Sequence, residues 1–461
     1  MDEDKDQVPS SSSSSISLPS NPNPNPKTPK PPPKRFIKSQ IPTSLLQNPS
    51  LNSAISLLPS NYSFEIHKTL HRIDSSSSSL IALQFPDGLL MYSLPIADII
   101  RSFSSSSADV VRPRRKPNYG CCCVDRLRRP PPSAATSSFH YGHSSSRPVT
   151  SSKIPTLYVF VEIKIDPDRL IESIESNFPK SSSLAIAGTV QFIAAVHAAK
   201  SVLSEEGYDV TVPQAKPLSA GEVLGCTAPT IPKSKGVDAL IFVADGRFHL
   251  EAFMIANPGV PAFRYDPFLG VLVLEEYDHK GMKRVRKDAI FRAREAKNWG
   301  VILGTLGRQG STRVLDRVLG LMDDKGLDYT VVLMSEISPA RVELFEDSVD
   351  AWVQIACPRL SIDWGEGFKR PLLTTFEFEI AMGFVKGWWE REKSSGGCGS
   401  CSCNGCGSCD GGDIGGEYPM DYYAQDGGDW NGSYVKKKVT SNGVKLHSIR
   451  GGRDVQREVI S

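Results

Sequence analysis

Ala239-Leu-Ile-Phe-Val-Ala244 runs directly into Asp245-Gly-Arg-Phe-His249 and then Leu250-Glu-Ala-Phe-Met-Ile-Ala256. An unbroken apolar run of strand length, closed by a polar turn and followed by a helix, describes a strand buried on both faces with a helix returning over it. The same alternation continues in both directions. Towards the N-terminus it predicts strands over 80–84, 156–163, 183–187 and 209–212, with helices over 88–103, 166–178 and 191–206. Towards the C-terminus it predicts a long charged helix over 280–299, then strands over 301–304, 330–334 and 351–355 with helices over 312–324 and 339–346. Short apolar strands alternating with helices form parallel sheets covered on both faces. The fold class is therefore α/β, and so many strands suit two or three small units better than one large sheet.

Composition sets the limits of this region. Residues 1–45 are rich in Ser, Pro, Asn and Lys and cannot bury enough apolar surface to offset the entropy of ordering. A short amphipathic helix is predicted over 61–72. Beyond residue 390 the chain turns Gly/Ser/Cys-rich, then acidic and aromatic, then basic, and reads as a flexible tail. The expected organisation is a disordered tail over 1–60, α/β domains over 61–153, 154–270 and 271–392, and a second tail over 393–461. The balance of 53 Lys+Arg against 51 Asp+Glu argues against a general nucleic-acid or membrane-surface binder. No apolar run is long enough to cross a bilayer. The acidic start Met1-Asp-Glu-Asp-Lys-Asp6 does not resemble a secretory signal, so a cytoplasmic protein is expected.

The ten cysteines are not spaced as a disulfide framework. Each α/β unit carries a cysteine station: Cys122 within Tyr119-Gly-Cys-Cys-Cys-Val-Asp125, Cys226 within Gly221-Glu-Val-Leu-Gly-Cys-Thr227, and Cys357 directly after the strand over 351–355. Ligands of open α/β sheets collect where strands end and loops begin. Three units around a pseudo-threefold axis would bring one soft thiolate each to a common iron–sulfur or zinc centre. On spacing alone, three buried free cysteines explain the pattern at least as well. Asp245-Gly-Arg-Phe-His249 is a ligand candidate at a strand end, with a helix N-cap by Asp245 as the plainer explanation. The loop Gly304-Thr-Leu-Gly-Arg-Gln-Gly-Ser-Thr312 is either an anion site or a tight turn. It lacks the Gly-Lys-Ser/Thr ending of a nucleoside-triphosphate loop. Cys398, Cys401, Cys403, Cys406 and Cys409 include Cys-x2-Cys pairs suited to zinc, a cluster or dithiol electron shuttling, but they lie among Gly, Ser and Asn without hydrophobic support, and a low-complexity run with adventitious metal affinity explains them at least as well.

Taken together, the segments resemble subunit 1 of the 2-(3-amino-3-carboxypropyl)histidine synthase family of diphthamide biosynthesis. The resemblance rests on Leu83-Gln-Phe-Pro-Asp-Gly-Leu-Leu90, the cysteine stations, His140-Tyr-Gly-His143, Pro213-Gln-Ala-Lys-Pro-Leu-Ser219, Asp245-Gly-Arg-Phe-His249, Arg264-Tyr-Asp-Pro267, Cys357-Pro-Arg-Leu-Ser-Ile-Asp-Trp-Gly365 and Tyr418-Pro-Met-Asp421. It implies three small parallel-sheet domains arranged pseudo-threefold around a [4Fe–4S] cluster held by Cys122, Cys226 and Cys357. It further implies S-adenosyl-L-methionine as substrate, whose 3-amino-3-carboxypropyl group passes as a radical to C2 of a histidine in translation elongation factor 2. A related second subunit completes a heterodimer, and a small iron-containing protein donates electrons. Of the consecutive cysteines, the one that follows Tyr-Gly-x is Cys122. Arg359, Arg308 and Gln309 are candidates for the carboxylate of the methionine moiety.

One stretch departs from the family. Between Asp125 and His140 the family has a helix and a buried strand. Here Pro130, Pro131 and Pro132 cannot continue a helix, and the Ser/Thr-rich run after them is a poor buried strand. That departure motivates an alternative, a catalytically silent scaffold subunit of the same complex. A cluster-dependent dehydratase of the quinolinate-synthase type is a third reading, which the ordered motifs disfavour.

Overall fold

A computed structural model describes residues 41–76, 80–104, 109–111, 137–142, 155–305, 310–390 and 417–432. Cys122, Arg308, Gln309 and the cysteine run from Cys398 to Cys409 lie outside the described residues.

The first part of the fold comprises α1 (Thr43–Leu46), α2 (Pro49–Ile55), β1 (Tyr62–Ser63), α3 (Ile66–Ser76), β2 (Leu80–Gln84), α4 (Ser93–Phe103), β3 (Asp109–Val111), β4 (Ser137–Gly142), β5 (Thr156–Phe160) and β6 (Glu162–Ile163). The second comprises α5 (Pro167–Asn177), β7 (Ser183–Gly188), α6 (Ile193–Glu205), β8 (Asp209–Thr211), β9 (Ala239–Val243), α7 (Phe248–Ala256), β10 (Ala262–Asp266) and β11 (Val271–Glu275). The third comprises α8 (His279–Arg294), β12 (Asn298–Gly304), α9 (Thr312–Lys325), β13 (Asp328–Met334), α10 (Pro339–Val342), β14 (Ala351–Ile355), α11 (Pro358–Trp364), β15 (Leu372–Leu373) and α12 (Thr375–Ala381).

Beside a two-stranded antiparallel pair of β1 with β6, three larger sheets form, ordered β3-β2-β4-β5, β11-β10-β9-β7-β8 and β13-β12-β14-β15. Within the larger three, pairing is parallel throughout except between β10 and β11. Numbered within its own sheet, each follows the order 2-1-3-4, with the second sheet adding β11 beyond its fourth strand. The chain reverses its direction of growth between first and third strands, which opens a crevice at their carboxyl ends.

The run that opened the reading is β9, buried at every position. Ala239, Ile241 and Val243 face the core formed with α5 and α6, while Leu240 and Phe242 face a larger core. That larger core is continuous from the second sheet to the third, taking in Val301, Leu303, Val353 and Ile355. α7 lies between them, which explains why Leu250 and Ala252 to Ala256 are all buried.

Four expectations change. The folded region does not begin at 61: α1 and α2 precede it, and Leu51 is fully buried in the first core. The stretch 137–142 is a strand, paired with β2 and β5 on either side. Ser137 and Ser138 are small enough to sit there, and the apolar packing comes from Phe139 and Tyr141. The long helix stops at Arg294, and Trp299 belongs to β12. Finally, 417–432 is not tail: Tyr418, Met420, Tyr422 and Tyr423 are buried in the core shared by the second and third sheets.

Candidate functional site

Cys226 stands at the tip of a tight turn between β8 and β9. Leu224 and Thr227 exchange backbone hydrogen bonds, N–H of Leu224 to the Thr227 carbonyl at 3.0 Å and the reverse at 3.1 Å. The turn leaves Gly225 and Cys226 as its central pair. Gly225 is required there, because a Cβ would lie within 2.9 Å of three atoms of the Phe248 ring. Cys226 is only 2% exposed.

Cys357 follows β14 and is the residue immediately before α11, with Pro358 opening the helix. Its carbonyl accepts from Nε2 of Gln354 at 2.8 Å and from N–H of Leu360 at 3.0 Å. Neither Cys226 nor Cys357 forms a disulfide, and Cys357 is half-buried. Their positions are not equivalent in topology: Cys226 precedes the third strand of its sheet, whereas Cys357 follows the third strand of its own.

Two braces join the turns that carry these cysteines. On one side stands Phe248, whose ring packs against Gly225 and carries the Arg359 guanidinium 4.4 Å above its centroid. On the other stands Tyr423, from the returning segment 417–432. Its N–H donates to Oγ1 of Thr227 at 3.2 Å, and its hydroxyl donates to the carbonyl of Ala356 at 3.5 Å. Gly225 and Thr227 flank Cys226, and Ala356 directly precedes Cys357. The segment is fixed further by N–H of Ala228 donating to the Met420 carbonyl at 2.8 Å.

Arg359, a candidate for the substrate carboxylate, is engaged within the fold. Nε donates to both carboxylate oxygens of Asp363 at 2.8 Å, one terminal nitrogen to the Phe248 carbonyl at 2.8 Å, and the other to Glu251. Its charge is offset within the fold, and the contacts tie α11 to α7. Glu251 is shared with Arg247, which pairs with Glu275, which in turn holds Arg264, so alternating charges run across this face. Burial pushes the Asp363 carboxyl above its ordinary range, opposed by the Arg359 charge.

The anchoring side chains lie behind the site. Arg286 and Glu377 form a buried bidentate pair, 2.7 and 2.8 Å, and the Tyr418 hydroxyl donates to the same carboxylate at 2.8 Å. Burial, reinforced by the Glu377 charge, holds the Tyr418 phenol protonated, well above its ordinary range. A small cavity, with room of about 20 Å³ for the centre of a water molecule, lies between Gln354, Ala356, Thr374, Tyr422, Tyr423 and Trp430.

Asp245 does not cap α7; Arg247 occupies that position with no side-chain cap. Among the described residues, no group of three or more His, Cys, Asp or Glu side chains is placed to hold a metal. Two of the three expected thiols stand on braced neighbouring turns, and the third lies outside the described residues. This partial donor set is soft and unbridged, as iron–sulfur ligation requires. Sequence reasoning quoted Phe248 and Thr227 within candidate motifs without giving either a role, and missed Tyr423. The signal for Tyr423 was present, an aromatic-rich run unlike the Gly/Ser composition before it. Among the described residues no helix is long and apolar enough to cross a membrane.

The diphthamide synthesis protein family model matches residues 85–394. A chicken (Gallus gallus) protein named 2-(3-amino-3-carboxypropyl)histidine synthase subunit 1 is 43% identical over 413 residues, covering 89% of this chain and 92% of the relative. The human protein of that name is 43% identical over 394 residues, covering 85% and 82% respectively. Among solved structures, Dph2 from Pyrococcus horikoshii with a 4Fe-4S cluster superposes with a TM-score of 0.58 at 23% identity, covering 71% of this chain and 92% of that one. The last comparison bears on the fold, and agrees with the three parallel sheets. The chain belongs to the diphthamide synthesis protein family, alongside relatives named 2-(3-amino-3-carboxypropyl)histidine synthase subunit 1.

Proposed function

We propose that this chain is the cluster-bearing subunit of an S-adenosyl-L-methionine-dependent transferase that makes the first modification towards diphthamide. The 3-amino-3-carboxypropyl group moves from the sulfonium to C2 of a histidine in translation elongation factor 2. The S–Cγ bond breaks to release methylthioadenosine, a Cγ–C2 bond forms, and the C2 hydrogen leaves as a proton while the electron that opened the sulfonium is returned. Cys122, Cys226 and Cys357 are the proposed ligands of a [4Fe–4S] cluster around which the three sheets are arranged. Such a cluster, when bound, supplies the electron that cleaves the sulfonium bond, and three protein ligands leave one iron open to substrate.

The observation that carries this reading is the bracing of two cysteine-bearing turns by shared neighbours, Phe248 on one side and Tyr423 on the other. A metal centre needs ligands fixed before it arrives, and packed neighbours achieve this. The turn at Gly225 holds Cys226 in a nearly water-free setting, which suits a ligand to a centre that must exclude water. Arg359 enters as the support behind Cys357. Arg308 and Gln309 are proposed for the substrate carboxylate; Gly304 and Gly310, which flank them in sequence, approach each other closely, since a Cβ at Gly310 would overlap the Gly304 carbonyl. The partners proposed are the related second subunit and a small iron-containing electron donor.

The test is anaerobic reconstitution of the chain with its related subunit, followed by transfer of label from S-adenosyl-L-methionine to elongation factor 2. Replacing Cys226 or Cys357 by Ala in this chain should abolish transfer. Undiminished transfer in either variant would overturn the reading in favour of a scaffold role.

A further inference from the structure

Thr227 follows Cys226 and is fully buried. Its backbone N–H and carbonyl are both used in the turn with Leu224. Its hydroxyl oxygen accepts the N–H of Tyr423 at 3.2 Å and lies 3.9 Å from Sγ of Cys226. A hydroxyl carries one proton and two acceptor positions. With N–H of Tyr423 directed at the oxygen and no solvent reaching it, the proton turns to the sulfur. Donation from Tyr423 also polarises the O–H, which strengthens what it donates.

We infer that Thr227 donates a hydrogen bond to the Cys226 thiolate and thereby raises the reduction potential of the bound cluster. The inference rests on Cys226 being a cluster ligand, as proposed above. Reduction adds negative charge that spreads onto the ligand sulfurs, and a proton aimed at one of them stabilises the reduced state more than the oxidised one. Hydrogen bonds to cluster sulfurs are an established control of potential, acting from behind the ligands themselves. Thr227 is thus a positioning and tuning residue, and 417–432 is the element that sets its hydroxyl.

The test uses the full chain, reconstituted anaerobically with iron and sulfide, and a redox titration followed by electron paramagnetic resonance. Thr227→Val should keep its iron and shift the midpoint to a more negative potential, whereas Thr227→Ser should match the parent. Pulsed measurements in H2O and D2O should show an exchangeable proton coupled to the reduced cluster that Thr227→Val lacks. An unchanged midpoint, or an unchanged proton signal, in an iron-loaded Thr227→Val chain would overturn the inference. If that variant loses its iron, Thr227→Ala is read by the same criteria, and loss of iron from both would also overturn it, assigning Thr227 a purely structural role. A parent chain that takes up no iron would overturn the cluster reading and this inference together, and iron analysis distinguishes that case.

Discussion

Gly225 and Phe248 are in direct contact, and the contact leaves no room for a side chain on the turn that presents Cys226. The Phe248 ring is held in turn beneath the Arg359 guanidinium, so it cannot give way without disturbing α11. Gly225→Ala should therefore cost about 1–3 kcal/mol, the usual range for overpacking a filled interior. It should also lower iron retention more than a matched destabilisation elsewhere. Denaturant unfolding with iron analysis checks both, and normal iron content at reduced stability would separate the turn from the site.

The Arg286–Glu377 pair should be strongly asymmetric to mutation. Arg286→Met leaves a buried carboxylate with only the Tyr418 hydroxyl and the Thr374 N–H as partners and should lose about 3–5 kcal/mol. The double variant Arg286→Met, Glu377→Met should lose less than Arg286→Met alone, because no charge is stranded. Tyr418→Phe, which leaves the ion pair intact, should cost about 1 kcal/mol. Urea melts of the cluster-free chain measure all three.

A pH dependence follows from Asp350, whose Oδ2 accepts from N–H of Asn298 at 3.0 Å and of Lys297 at 3.1 Å. These bonds, that from Asn298 foremost, hold its carboxyl below the ordinary range. A depressed folded-state value stabilises above the unfolded value of about 3.9 and is lost as pH falls through the folded one. Asp350→Asn should thus be less stable than the parent at neutral pH, with the gap closing below about pH 4. A gap that stays constant from neutral to acid pH would contradict this assignment.

The two parts of the C-terminal region should respond differently to deletion. Removing 396–411 should leave transfer intact with an artificial reductant. Removing 417–461 takes away Tyr418, Met420, Tyr422 and Tyr423 from the shared core and should unfold the third part of the chain. Near-ultraviolet circular dichroism of the two deletions distinguishes the outcomes.

The strands were legible because buried parallel strands must be apolar on both faces: β2 and β14 fall on the residues the pattern predicts. The β10–β11 hairpin was not, since Ala262-Phe-Arg-Tyr-Asp266 alternates and β11 leaves Val271, Val273 and Leu274 exposed at the sheet edge. The cysteine stations were visible as spacing. What holds them was not, because Phe248 and Arg359 are 111 residues apart, and Tyr423 and Thr227 are 196 apart. Local periodicity carries no information over such distances, and a Gly-rich run before 417 disguised a packed segment as tail.

The central claim is that Cys226 and Cys357 hold iron. Its most direct measurement is iron and acid-labile sulfide per chain after anaerobic reconstitution, for the parent and for Cys226→Ala and Cys357→Ala. The account predicts about four of each in the parent, as a [4Fe–4S] cluster requires, and a large loss in both variants. Equal iron and sulfide in all three proteins would contradict it.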